Sequence, residues 1–589
     1  MRPTANFLNL VRSIDSSNAS TRLETLAALL TAEPPSGSRV AATLRHLEAL
    51  GFRLEGGARF GDAARAYELA ATIDPQDPQR WRWIVATARL RDVVEHARWD
   101  EAATFIAEIR SRGETEAALR EAARTLLGVG WDHECRGRAE PAVQCYRLAF
   151  ALNGGDADLA TGDGHSLSTK IRNLRILQMN ALVEAGRYDE AAALHESTRA
   201  IAGFGPVGIY DIVSARQAAE EGHGRYRELL AGRRIPDPEV KFLGGSIALT
   251  SQPGSLDAPP QYVAFFKDCL TFPRSNVVLH GQRLIYDLAA HPLSGVADIK
   301  DGVNPGQIML AVWGPERALV EAPAEIQEID AGLMLFGFQS RQYGHWLLEF
   351  VPRMLWFNDP ACPAGLPLCV DDQMPDTHRQ IIALMDERDR PVRVLPPVAT
   401  RFRELGLAPV PTFYPFDTRP GLPIYDAIWP SDVLAAVRGK ILERLAAQGG
   451  DLRRTGRRIL LSRRGFTQRR LVNEAEIADA LQPHGFEVIQ PETYTFAEQV
   501  EIYHAADIVV GSASSALING LFCRPGAKVI ALTHDNPAFY FRGFTSLIES
   551  SGARLLFVRG NAVQTEGLHP MHADYAVSPN AILQALAAV

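Results

Sequence analysis

Cysteine pairs, long apolar runs, excess positive charge and acidic metal-binding motifs are all scarce in this chain of 589 residues. Each scarcity removes a class of protein. The six cysteines (Cys135, Cys145, Cys269, Cys362, Cys369 and Cys523) are scattered, and none is in CxxC spacing. That argues against a disulfide framework or a zinc site and fits reduced thiols in a cytoplasmic protein. No window reaches the roughly eighteen uninterrupted apolar residues that cross a bilayer. Met1 to Asn6 holds no apolar signal core. Any membrane association is expected to be peripheral, at an inner membrane. A net charge of -8 speaks against a general nucleic-acid binder, which carries a basic excess. The only Asp-x-Asp pair, Asp156-Ala157-Asp158, falls in a helical stretch. Asp371-Asp372 ends a strand, where an acid pair is more often a turn or a helix cap, so no metal is expected.

The chain is too long for one core, and roughly two to four domains are expected. Its first third is helical and repetitive. Four similar segments contain Ala63, Ala102, Ala142 and Ala191, at spacings of 39, 40 and 49. Each opens with an acid near a helix start and puts small residues where two helices approach closely. A larger residue follows four places on, along the same face. The segments resemble tetratricopeptide repeats, with a longer period than that family's roughly 34 residues. The resemblance implies a helical-repeat solenoid over residues 1–235. Its concave surface would bind a peptide, a partner subunit or an assembly, without doing chemistry itself. The turn-rich stretch 236–261, with Pro236-Asp237-Pro238 and Ala258-Pro259-Pro260, reads as a linker.

From Tyr262 the pattern turns α/β. Strands are expected at Gln307–Val312, Ile329–Phe336, Pro367–Val370 and Val392–Leu395, with a helix from His378 to Glu387. Such alternation implies a parallel sheet with covered faces. A long helix, Ser431 to Gln448, separates residues 262–430 from 431–589, which read as two Rossmann-like lobes with a cleft between. The most informative stretch is Ile459 to Pro525. Strand 508–510 runs into Gly511, Ser512, Ala513, Ser514 and Ser515 and then a helix that includes Asn519. Backbone N–H groups at such a helix start favour a phosphate. Arg463 and Arg464 follow directly on strand 459–461, where they could grip the same diphosphate bidentately. Eight arginines and no acid lie between Arg453 and Arg470; those from Arg453 to Arg458 read as a solvated basic loop. Strand 527–532 brings His534 to the sheet edge of Gly511. Asn473 with Glu476, and Thr495 with Glu498, carry the spacing of capping boxes.

Tyr343-Gly344-His345-Trp346-Leu347-Leu348-Glu349-Phe350-Val351-Pro352-Arg353 precedes Leu461-Ser462-Arg463-Arg464, Asn473-Glu474, Phe496-Ala497-Glu498-Gln499 and the loop from Gly511 to Phe522. In this order and spacing the motifs resemble family 61 glycosyltransferases, over residues 262–589. The resemblance implies a GT-B-like fold and a nucleotide-sugar donor as substrate, with no further cofactor. It also implies transfer with inversion, and bacterial members associated with surface polysaccharide or glycoconjugate assembly. An inverting transfer needs a base for the acceptor hydroxyl and positive charge for the leaving diphosphate. His345 and Glu349 share one helix face, and either can be the base. Arg463, Arg464, Gly511, Ser512, Ser514, Ser515, Asn519 and His534 are the candidate donor-binding residues. Ala513 and Ala531 depart from the family's pattern, which commonly has His and an acid at these places.

The expected partners are a nucleotide sugar, a glycan or glycoprotein acceptor and a protein docked on the repeats, with no nucleic acid. Two other readings stand beside the glycan enzyme. One is a protein glycosyltransferase whose repeats capture a polypeptide. The other is a non-catalytic scaffold with a decayed nucleotide site.

Overall fold

The computed structural model describes residues 10–588 apart from 12, 15–16, 33, 36–38, 75–76, 112–115, 154, 156–165, 203–204, 237, 245–254, 288–310, 315, 413–426, 428, 467–468, 535–538 and 564–572. The Asp156-Ala157-Asp158 pair and the first four residues of the strand expected at Gln307–Val312 lie outside the described residues. The chain forms two compact units, Met1–Val207 and Gly208–Val589.

The first unit is all helical. Its described residues hold nine short helices in a run consistent with helical repeats: α1 (Ala19–Ala32), α2 (Arg39–Gly56), α3 (Phe60–Ile73), α4 (Pro78–Glu95), α5 (Trp99–Ser111), α6 (Glu116–Cys135), α7 (Ala139–Leu152), α8 (Leu167–Glu184) and α9 (Tyr188–Ala202). The aligned alanines Ala63, Ala102, Ala142 and Ala191 are fully buried. One turn recurs before each of them. A residue at positive φ (Ala58, Ala97, Gly137 or Gly186) is followed by an arginine (Arg59, Arg98, Arg138 or Arg187). Each arginine N–H reaches back five residues, to Leu54, Val93, His133 and Leu182, which closes a Schellman-type C-cap. Each arginine carbonyl then accepts from the aligned alanine and starts the next helix.

Close approach is built in at matching places. A Cβ on Gly51 would sit 2.2 Å from the Tyr67 ring, and one on Gly130 would sit 2.5 Å from the Tyr146 ring. Both tyrosines lie four residues after an aligned alanine, and both glycines sixteen before their tyrosine. Where the residue after the alanine is the smaller Ile106 or His195, the position sixteen before it is Leu90 or Met179. At the two glycine positions a large ring faces a residue without a side chain, which keeps interior volume filled.

The second unit is mixed α/β, and it begins earlier than the sequence suggested. Residues 208–235 are not part of the helical domain, because Val207–Val213 and Gly224–Leu230 are strands of a large sheet. Gly224–Leu230 sits on Gln261–Thr271 and exposes most of its charged side chains, so its polar composition hid it. The expected linker is structured too: Arg233–Pro236 pairs with Ser255–Ala258, and Phe242 bridges to Phe557.

The large sheet has eleven described strands and is mixed rather than parallel. Its parallel block runs Val392–Val394, Leu368–Val370, Ile326–Met334, Ala399–Leu407. In chain order that is 3-2-1-4, with the order reversing between Ile326–Met334 and Ala399–Leu407. Antiparallel pairs extend the sheet from Gln261–Thr271 to Arg283–Ile285, on which Val207–Val213 pairs parallel.

The second sheet has six strands in the order Phe486–Ile489, Arg457–Leu461, Ala506–Ser512, Lys528–His534, Arg554–Val563, Asp574–Ala576. All pair parallel except the last. Its chain order, 2-1-3-4-5-6, reverses between Arg457–Leu461 and Ala506–Ser512. In open α/β sheets the crevice at such a reversal is the ligand position. Each sheet has an apolar cluster of its own, and a third is shared between them. One continuous core includes Leu333, Trp346, Phe350, Ile459, Leu461, Ile518 and Phe522. The helix Ser431–Ala447 belongs to that core through Leu434, Val437, Ile441 and Leu445.

Candidate active site

The segment after Ile326–Met334 carries the candidate base. A loop ties down first: Asp371, buried at the end of Leu368–Val370, accepts from Ser340 Oγ (2.6 Å), Arg274 N (2.8 Å) and Gly337 N (3.2 Å). Asp372 pairs with the Arg274 guanidinium at 2.9 Å. The acid pair is thus spent on the turn. A short helix then begins at Tyr343 and widens into a π-helix over Trp346–Phe350. The sequence explains the widening. Pro352 has no N–H to give the Leu348 carbonyl, and its ring clashes with that carbonyl in a regular α-helix. The Leu348 carbonyl accepts instead from Thr412 Oγ1 at 3.1 Å, and Val351 N bonds five residues back to Trp346 O at 2.9 Å. π-turns of this kind are frequent at functional sites.

Within this turn His345 Nδ1 hydrogen-bonds the Glu349 carboxylate. Glu349 is fully buried, whereas the His345 side chain keeps 22% of its surface exposed. An ionised Glu349 accepts from Nδ1–H, which puts the basic lone pair on Nε2. Arg353, one turn further, is also buried. It donates to Asn276 Oδ1 (3.1 Å) and Met334 O (3.3 Å) and lies over the Phe350 ring. Burial lowers its pKa to about 10, and the Glu349 charge is the first influence opposing that. The guanidinium is therefore the nearby compensation for the buried carboxylate.

This helix start is packed against the small-residue loop of the second sheet. A Cβ on Gly344 would come 2.8 Å from Ile518 Cδ1 and 3.2 Å from Ser515 Oγ. Tyr343 Oη donates to Asn519 Oδ1, and Asn519 Nδ2 donates to Gln499 Oε1 at 2.8 Å. Asn519 is fully buried with both ends of its amide engaged, so it braces the two elements together. Gly511 is a packing position, since a Cβ there would meet Leu461 Cβ at 2.8 Å. Ser515 is exposed at the loop, and Ser514 is buried with no partner for its Oγ among the described residues. The segment Ser515–Phe522, expected as an α-helix, is a 3₁₀-helix. It is buried from Leu517 onward, and Gly520 has room for no more than a hydrogen against Ile548 Cδ1.

Across the reversal point, Ser462 and Arg463 leave the strand Arg457–Leu461. Buried Glu474 holds that exit, accepting from Ser462 Oγ (2.5 Å) and Arg463 N (2.8 Å). Arg464 is exposed and pairs with Glu474 at 3.4 Å. Arg463 is half-buried over Phe466; burial and then neighbouring Arg469 lower its pKa. Ser512 accepts from Tyr575 Oη at 2.7 Å, and buried His534 lies 5.8 Å from the Tyr575 ring. The reversal point thus gathers Arg463, Ser512, Ser514 and His534, while Gly344 and Tyr343 bring His345 and Glu349 to the same loop.

Residues 343–530 match the family model Glycosyltransferase 61. That segment is similar to the glycosyltransferases of this family, and it spans both the His345 turn and the Arg463 and Ser512 loops. No curated protein matches the chain. Several of the family-type motifs acquire structural reasons. The Glu of Asn473-Glu474 fixes the arginine turn, and the Gln of Phe496-Ala497-Glu498-Gln499 holds Asn519. Four residues of this region were not singled out from sequence: Arg353, Tyr343, Arg469 and Tyr575. Arg353 and Tyr343 stand in the quoted motif, so their signal was present. Tyr575 carried none, because its contact with Ser512 is made across the sheet. Among the described residues no helix is long and apolar enough to cross a membrane.

Proposed function

We propose that the α/β unit is an inverting, GT-B-like glycosyltransferase that transfers a sugar from a nucleotide diphosphate donor to a hydroxyl acceptor. The donor diphosphate lies at the reversal point of the six-stranded sheet, against Arg463 and the loop of Ser512, Ser514 and Ser515. His345 Nε2 takes the acceptor proton as the acceptor oxygen bonds to the anomeric carbon. The bond from that carbon to the diphosphate oxygen breaks in the same displacement, so the configuration inverts. Glu349 holds the imidazole in its base tautomer and offsets the charge it gains. Arginine charge serves the leaving diphosphate, with no metal in the reaction as written. The observation that carries this reading is the buried Glu349 bound to His345 Nδ1 beside the donor loop. The family match supports a donor and an acceptor; a glycan acceptor in bacterial surface polysaccharide or glycoconjugate assembly rests on the resemblance alone, as does docking of a protein on the helical unit.

The test is a panel of nucleotide sugars with the full-length chain, reading melting temperature and nucleoside diphosphate release. One donor class is expected to stabilise the protein, by about 2.7 kcal/mol at a hundred times its dissociation constant. His345→Ala is expected to lower kcat by roughly 10²–10⁴-fold while that stabilisation persists, and Glu349→Gln to do the same. No shift and no release with any nucleotide sugar would sink the reading.

A further inference from the structure

Arg469 is the residue whose structure is least explained by the fold itself. It ends the connection that starts at Arg463, and it is half-buried. Its backbone has φ +52°, a left-handed conformation that arginine adopts rarely. Such strain persists where the surroundings enforce it, and it gathers at ligand sites. What enforces it here is the next residue. Arg470 N donates to Asp574 Oδ1 at 2.8 Å, and the Arg470 guanidinium holds Asp574 Oδ2 at 2.6 Å. Leu471 then bridges to Tyr575. Arg470 is thereby committed to Asp574, and Arg464 to Glu474.

Arg469 has no hydrogen bond or ion pair among the described residues. Its neighbours are a second guanidinium, Arg463, and the phenol rings of Tyr575 and Tyr540. Withdrawing an unpaired cation from water beside a like charge costs free energy. Arg464 pairs with buried Glu474, and Arg463 lies near Glu474 and Glu492, so three guanidinium groups share two carboxylates and the reversal point keeps an excess of positive charge. Tyr575 links this pair to the other side of the crevice, since its Oη donates to Ser512 Oγ. The unpartnered Ser514 Oγ lies two residues on.

We propose that Arg469 and Arg463 together form a two-guanidinium clamp for the diphosphate of the donor, with Arg469 held in place for it by the Arg470–Asp574 pair. The clamp rests on the donor reading above and names the group that reading lacked. Two forked cations match a diphosphate's charge and its several acceptor oxygens, which a single arginine does not. The anion, when bound, removes the repulsion between the two guanidinium groups.

The experiment is calorimetric titration of the full-length wild type, Arg469→Gln and Arg469→Lys with UDP, GDP and inorganic pyrophosphate, with uridine and guanosine as controls, alongside the melting temperature of each unliganded protein. Arg469→Gln is expected to weaken diphosphate binding about ten- to a hundredfold and to leave nucleoside binding unchanged. Arg469→Lys keeps the charge without the fork and falls between. The unliganded Gln variant is expected to melt no lower than wild type, because an unpaired cation has been removed. If Arg469→Gln bound diphosphates as wild type does, the clamp would be overturned and the donor site left standing. The clamp is also overturned if the unliganded Gln variant melts several degrees lower, which marks a partner within the chain. If wild type bound none of the probes, the donor reading itself would fall.

Discussion

Arginine does opposite work in the two units. In the helical unit three of the four repeat turns pair an arginine with an acid three residues on: Arg59 with Asp62, Arg98 with Glu101, Arg187 with Glu190. Each of these pairs spans one turn of helix, and Arg98 also reaches back to Asp92 in the preceding helix. In the α/β unit Arg463 and Arg469 stand in a stretch without a single acid from Arg453 to Arg470. Their environment has to come from elsewhere in the fold: Glu474 for the turn, Tyr575 for the crevice, and in our reading an anion for the charge. The lesson is that an arginine's role follows from where its nearest acid lies. A local acid makes it part of a turn; a missing one makes it a candidate for binding.

That contrast can be broken in three ways. The largest effect is expected inside the repeats, where Gly130→Ala drives a methyl into Tyr146. A loss of about 1–3 kcal/mol should follow, read by thermal or denaturant unfolding, and Tyr146→Leu in the same chain should restore part of it. Transfer activity should not change. A parallel fall in kcat would show that the helical unit's packing and the α/β chemistry are not separable.

The next effect belongs to the α/β unit. His378 is buried, stacks on Trp346 at 4.9 Å and has no hydrogen bond at Nε2 among the described residues. Burial lowers its pKa from 6.5 to about 3. As pH falls below 6.5 the unfolded chain takes the proton first. The contribution of neutral His378 is therefore whole above that pH and is lost toward pH 3. Between pH 7 and pH 5 the wild type should lose about 1–2 kcal/mol from this group, since each pKa unit is worth about 1.4 kcal/mol. His378→Phe keeps the stack and should show a flatter profile. Identical profiles would mean that His378 is not held neutral.

The smallest effect is the sharpest for the comparison. Arg98→Ala removes two surface ion pairs, with Glu101 and Asp92, and should cost at most about 1 kcal/mol, with kcat and KM unchanged. Arg463→Ala should abolish transfer while the protein remains folded. Equal effects on activity from the two would erase the distinction.

Much of this contrast was legible in advance. The repeat alanines, the strands around Leu461, Val510 and Ile530 and the helix from Ser431 all follow from spacing and composition. So does the Thr495–Glu498 capping box, which forms in full. Asn473 has the same spacing to Glu476 yet makes no cap. Its side-chain carbonyl accepts from Val577 N, and its amide donates to Val577 O. A distant strand end offered it two hydrogen bonds where the helix offered one. Asn519 went the same way: it read as a candidate donor-binding residue in the helix after the loop, and the fold buried it between Tyr343 and Gln499. Residues 208–235 were misread because an edge strand with exposed charged side chains has little apolar alternation to detect.

The sequence by itself determined what depends on a few neighbouring residues: helix periods, repeat turns, the Pro352 break beside His345 and the small-residue loop at Gly511. These rest on backbone geometry and hydrogen bonds that close within about five residues. Only the tertiary structure decided the order of the strands, the start of the α/β unit at Gly208, the meeting of the His345 turn with the Ser515 loop, and the lack of an ion pair for Arg469 among the described residues. Those depend on segments more than a hundred residues apart coming to share one core. Which buried polar group finds a partner there is settled by packing, since every burial must be matched against the groups that arrive with it.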